Sequence, residues 1–134
     1  LRLYFENRAG RISDDPAGFA RLTYSAGQRS EDELRALLGH VTRLLARRAD
    51  GRLLVDQRLM QPFSASEQRH MTQQWMPAAV AEGGYRYGAV LQAHDVFARL
   101  ATATVTTQGR ELNLTYRYFD DEPAAVQWLL TRPT

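Results

Sequence analysis

The chain has 134 residues, 44% apolar and 24% charged, with a net charge of +2, enough length for one domain with a buried core and too apolar for disorder. It contains no cysteine, and all 17 basic residues are arginine, which excludes disulfides, thiolate chemistry, Schiff-base lysines and P-loop lysines. Those arginines are interspersed with 15 acidic residues rather than gathered in a stripe, which argues against nucleic-acid binding.

Leu3-Tyr4-Phe5-Glu6-Asn7 reads as a first strand closed by a turn at Asn7-Arg8-Ala9-Gly10, with Arg11-Ile12-Ser13 as its hairpin partner. Asp14-Asp15-Pro16-Ala17-Gly18 is a second turn, and Phe19 to Tyr24 alternates as a half-buried strand does. The N-terminal quarter is therefore expected to be an antiparallel meander. Ser30 followed by Glu31, Asp32 and Glu33 starts a helix, and Leu34, Leu37, Leu38, Val41, Leu44 and Leu45 give it one apolar stripe. Arg47-Arg48 suits the negative end of that helix, and Asp50-Gly51 ends it.

Arg52 to Asp56 carries the apolar triplet Leu53-Leu54-Val55 of a central strand. Ser64-Ala65-Ser66-Glu67 matches a capping box that opens a second helix, with Met71 and Trp75 on one face. Pro77 should bend that helix or expose its last turns, and Gly83-Gly84 stops it. Tyr85 to Leu91 reads as a strand, and a third helix begins near His94-Asp95 with Val96, Phe97 and Leu100 expected on its inner side. Leu112, Leu114, Tyr116 and Tyr118 alternate in a final strand. Asp120-Asp121-Glu122-Pro123 then caps a last helix carrying Val126, Trp128, Leu129 and Leu130.

The expected fold is thus α/β: a mixed sheet with an antiparallel N-terminal meander, three helix crossovers and a C-terminal helix, in a single domain spanning residues 1–134. No apolar run is long enough for a membrane span, and the first residues lack a signal-peptide pattern. A cytoplasmic location without stable membrane insertion is expected. His40, His70 and His94 show no ligand-like spacing, so neither a metal nor a cofactor is expected. Serine-hydrolase, dinucleotide and P-loop fingerprints are all absent, so no catalytic residues are assigned.

Leu54-Val55-Asp56-Gln57-Arg58-Leu59-Met60, Trp75 with Pro77-Ala78, and Arg117-Tyr118-Phe119-Asp120-Asp121 leading to Ala125 and Trp128-Leu129 resemble the STAS-like (SpoIIAA-like) small bacterial proteins, in particular an uncharacterised branch from the Bacteroidetes. That resemblance implies a non-enzymatic regulatory or interaction module that binds a protein partner. Anti-sigma-factor antagonists of this superfamily carry Asp-Ser-x-Gly at the start of the helix after the central strand, with the serine phosphorylated. Here the region is Phe63-Ser64-Ala65-Ser66, which lacks both the aspartate and the glycine.

The expected partner or regulatory surface comprises Asp56, Arg58, Ser64, Ser66 and Glu67. For the two serines, helix capping is a sufficient reason by itself. The alternative reading, suggested by SEC14-type members of the wider superfamily, is a carrier of a small apolar or lipid-like ligand with Phe63, Met71 and Trp75 lining its pocket.

Overall fold

The computed structural model describes residues 1–133. Three strands, β1 (Arg2–Asn7), β2 (Gly10–Asp15) and β3 (Phe19–Tyr24), form the antiparallel meander. Next come β4 (Arg52–Asp56), β5 (Tyr87–Leu91) and β6 (Thr115–Phe119), each parallel to the strand before it. The spatial order of the six strands is their order in the chain.

Each parallel step needs a crossover. The first is α1 (Glu31–Arg48). The second is one continuous helical run made of α2 (Ala65–His70), a π-helical turn (Met71–Trp75) and α3 (Met76–Gly83). The third is α4 (Val96–Gln108), ending in a 3₁₀ turn at Gly109–Leu112. Leucines of α1, Met71 and Trp75, and Ala98 and Val105 of α4 share one buried cluster with Ile12, Leu22, Leu53, Val55 and Val90 of the sheet, so all three crossovers cover the same face. A uniform right-handed crossover rule has this result when strands are added in one direction. The opposite face carries α5 (Glu122–Leu130), whose Ala125, Trp128 and Leu129 pack on Phe19, Leu54, Tyr87, Ala89 and Leu91. The α/β class and the mixed sheet follow the sequence reading.

Local signals explain most boundaries. Ser30 and Ser64 both make complete capping boxes, with Glu33 and Glu67 reaching back to the cap N–H groups. Asp95 caps α4 by accepting from Phe97 and Ala98, and Asp121 caps α5 by accepting from Ala124. Pro77 does not break the run, whose last turn carries exposed Ala81 and Glu82 beside buried Ala79 and Gly83. The π turn just before it widens the backbone so that Met76 donates to the Met71 carbonyl five residues back, and the missing proline N–H falls where the register has already changed. In β5, Gly88 is required by close approach: a Cβ there would lie 2.5 Å from both the Tyr116 ring and the Tyr85 hydroxyl.

Two expectations are corrected. The last strand starts at Thr115, because residues 109–112 form a 3₁₀ turn closed by Asn113 in the left-handed conformation at φ 62°. The second correction concerns α4. Its inner side carries Ala98, Ala101, Thr102 and Val105, whereas Val96, Phe97 and Leu100 are 62%, 72% and 61% exposed. Small residues line the side of α4 that turns inward, and the larger apolar side chains are left facing outward.

Candidate functional site

The C-terminal ends of β3, β4 and β5 and the loops that follow them form one end of the sheet, where ligands and partners of α/β proteins gather. The residues expected at the partner surface run from Asp56, the last of β4, through the connection to Glu67 in the first turn of α2. The structure places these residues in two separate arrangements.

Asp56, at the end of β4, shares the face of Leu54 and α5. Arg58 wraps back onto it: Nε and Nη2 donate to the two carboxylate oxygens at 3.0 and 2.8 Å, and the Arg58 N–H donates to Oδ1. Arg58 Nη2 also reaches Glu122 at 3.2 Å, and Arg21 of β3 reaches the other Glu122 oxygen at 3.0 Å. Burial alone would raise the Asp56 pKa, but hydrogen bonds from Arg58 and the nearby Arg21 charge outweigh it and hold the carboxyl below its ordinary value. Asp56 first, and then Glu122, push the Arg58 pKa up. This network ties the start of α5 to β3 and β4. It leaves the Arg58 guanidinium already committed to two carboxylates.

Glu67 belongs to the opposite side of the loop. Its side chain is 7% exposed and faces Arg29, itself 4% exposed, from the β3–α1 connection. Arg29 also donates to the Gln61 and Pro62 carbonyls and lies 5.3 Å above the Phe63 ring. Glu67 in turn accepts the Ser64 N–H at 2.8 Å, while Ser64 Oγ accepts the Glu67 N–H. Ser64 is exposed and Ser66 half-buried, so Ser64 is accessible but engaged as a cap.

Phe63, Met71 and Trp75 line one cavity, together with Tyr24, Tyr85, Tyr116, Gln57 and Thr102. Its volume is about 20 Å³, room for roughly one water and far below the ~300 Å³ at which small-molecule pockets begin. Trp75 is packed: its indole N–H donates to the Leu38 carbonyl of α1 at 2.7 Å. Gln57 and Thr102 satisfy each other at 2.8 Å. The Tyr85 hydroxyl, by contrast, is buried without a hydrogen-bond partner of good geometry. Burial raises the pKa values of Tyr24, Tyr85 and Tyr116.

Sequence reasoning missed the apolar part of this end. Leu59, one residue beyond Arg58, is 62% exposed. The His94 N–H donates to the Arg58 carbonyl at 3.1 Å, which sets that loop beside the start of α4 with its exposed Val96, Phe97 and Leu100. Exposed apolar residues scattered singly are ordinary, but three within the first five residues of one helix, beside a loop carrying a fourth, are not. The available signal was the pair of competing stripes in α4, one of small residues and one of large.

Among the described residues, no three His, Asp or Glu side chains are placed to hold a metal, and no helix is long and apolar enough to cross a membrane. No family model matches the chain, and no curated protein or solved structure is significantly similar to it.

Proposed function

We propose that this chain is a non-enzymatic STAS-like interaction module that binds a protein partner at the C-terminal end of its parallel strands. The observation that carries the proposal is the exposed apolar group of Leu59, Val96, Phe97 and Leu100, next to the loop that the STAS resemblance singles out. A monomer gains nothing by leaving these side chains in water, whereas a partner that covers them gains their burial. Asp56, Arg58, Ser64 and Glu67 then act as the frame: two ion-pair systems hold the β4–α2 loop on both sides, so the surface is presented without an ordering cost at binding.

Phosphorylation of Ser64 would act on the oxygen that accepts the Glu67 N–H; the Glu67 carboxylate, held by the Ser64 N–H, opposes the added charge, and Arg29, bound to that carboxylate, favours it. The alternative reading, an apolar-ligand carrier, requires Phe63, Met71 and Trp75 to part widely from a cavity of about 20 Å³. The exposed group needs no such rearrangement, which favours the protein-binding reading.

The test is affinity capture from lysate of the native host with wild type and with a Phe97→Asp, Leu100→Asp double variant. A partner held by wild type and lost from the variant supports the proposal, and identical profiles contradict it. Native mass spectrometry of the freshly purified chain addresses the carrier reading, for which a retained small ligand is the positive result.

A further inference from the structure

We infer that what covers the start of α4 is a second copy of this chain, the two α4 helices packing antiparallel about a two-fold axis. The inference rests on the protein-binding reading and names the partner.

The inner side of α4 is set by buried Ala98, Ala101, Thr102 and Val105. Val96, Phe97, Leu100, Ala103, Thr104 and Thr107 are exposed, and their three- and four-residue spacing places them together on the opposite side of the helix. None of the six carries a charge, although the solvent side of a surface helix is ordinarily its charged side. Phe97, Leu100, Thr104 and Thr107 also follow the spacing of a coiled-coil seam, in which side chains of one helix enter the gaps of another.

The order of sizes along this stripe sets the direction of the partner. The large Val96, Phe97 and Leu100 lie in the first five residues of α4, and the small Ala103, Thr104 and Thr107 follow. Antiparallel pairing centred between Ala101 and Thr102 sets Phe97 of one copy on Thr107 of the other, and Leu100 between Ala103 and Thr104. Large meets small in both halves of the contact. Parallel pairing would set Phe97 against Phe97 and threonine against threonine. The stripe is therefore complementary to its own reverse, which is what a two-fold contact requires.

The ends of the helix carry opposite charges. Exposed Asp95 caps the N-terminus by accepting from Phe97 and Ala98, and exposed Arg110 lies just past the C-terminus. Neither side chain takes part in an ion pair among the described residues. The reversed pairing brings Asp95 of each copy beside Gly109 and Arg110 of the other, and it opposes the two helix dipoles. Arg99 is the one ionisable side chain from Val96 to Gln108. Its Nε donates to the Ala93 carbonyl, which draws it toward the N-terminal end and away from its two-fold mate. Glu111 leaves the 3₁₀ turn about 120° round from Arg110.

The sheet edges offer no comparable self-contact. Antiparallel pairing of two β6 strands about their centre would set Arg117 against Arg117, and β1 is broken by a bulge between Leu3 and Phe5, a usual protection of an edge. One pair of 13-residue helices is a footprint at the low end of specific interfaces, so the dimer is weak and forms as concentration rises.

Sedimentation equilibrium of the purified chain from about 10 μM to about 1 mM, a range that brackets weak dimers, reads the association. The mass should rise from one chain toward two. Phe97→Asp with Leu100→Asp should stay monomeric while keeping the wild-type circular dichroism. Thr104→Phe adds apolar surface but fills the gap that receives Leu100, and should weaken the dimer. Arg110→Ala should weaken it by roughly 2- to 30-fold, the range for two exposed ion pairs, with the difference shrinking as salt rises. The chain has no cysteine, so single-cysteine variants report the direction of pairing. Oxidation should crosslink Ala103→Cys, near the two-fold centre, and spare Thr107→Cys, which lies far from it. A monomeric mass throughout, an undiminished dimer in the double variant, stronger association of Thr104→Phe, or crosslinking at both positions would overturn the inference. Capture of a different protein through Phe97 and Leu100 by a chain that stays monomeric would remove this inference alone and leave the protein-binding reading standing.

Discussion

Arg29 and Glu67 form a two-pronged ion pair across 38 residues of sequence, Nε to Oε2 and Nη2 to Oε1, both at 3.0 Å. Both side chains are almost wholly buried, and the pair fastens the β3–α1 loop to the start of α2. Removing one member of such a pair leaves the other charged, buried and uncompensated. Glu67→Ala should therefore destabilise the chain by about 3–5 kcal/mol, measured by urea unfolding. Replacing both residues by apolar ones of similar volume should cost less than either single change.

Two glycines with opposite roles give a paired test. Gly39 lies inside α1, where a Cβ would meet nothing within 4 Å. Gly39→Ala should raise stability by up to ~1 kcal/mol through helix propensity alone. Gly88→Ala should do the reverse by ~1–3 kcal/mol, since the new methyl would press on the Tyr116 ring. Unfolding midpoints compared with wild type check both signs.

The legible parts of the fold were those written in local sequence. The α1 stripe from Leu34 to Leu45 and both Ser-x-x-Glu boxes depend on residues within a turn or two of one another. The Asp121 cap is equally local. The Arg29–Glu67 pair was not legible, because nothing near Arg29 in sequence announces a carboxylate brought from the next crossover. The inner side of α4 was misread for a different reason: hydrophobicity favours Val96, Phe97 and Leu100, whereas the face that is buried carries the small Ala98, Ala101 and Thr102. Packing decided. Of the residues singled out in the sequence, Asp56 and Arg58 pair with each other, Ser64 and Glu67 form a capping box, and Val96, Phe97 and Leu100, expected inside, are exposed.

Tyr24, Tyr85 and Tyr116 should resist ionisation in the native chain. Burial raises all three pKa values above the ordinary tyrosine value of about 10. Below that pH their contribution to stability is complete; above it the unfolded chain releases protons that the native chain retains, so stability falls as pH rises. Ultraviolet titration should show these three of the six tyrosines ionising only together with alkaline unfolding. Smooth titration of all six near the ordinary value would contradict the buried arrangement.

Asp56 sets the acid side. Its carboxyl is held below its ordinary value by Arg58 and Arg21 against the opposing effect of burial. The associated stability is therefore present above about pH 4 and is lost as pH falls through the lower native value, because the unfolded state takes up the proton first. Asp56→Asn should unfold more easily than wild type at neutral pH, and the gap should close as the solution is acidified. A gap independent of pH would place the effect elsewhere.

The central claim is that the start of α4 is a covered surface in the working protein. Photo-crosslinking tests it most directly, with benzoyl-phenylalanine placed at Phe97 in one variant and, as a control, at Arg47, which is exposed near the end of α1, in another, both expressed in the native host. A discrete protein adduct from position 97 and none from position 47 is the predicted result. No adduct at 97, or the same adduct from both positions, would contradict the account.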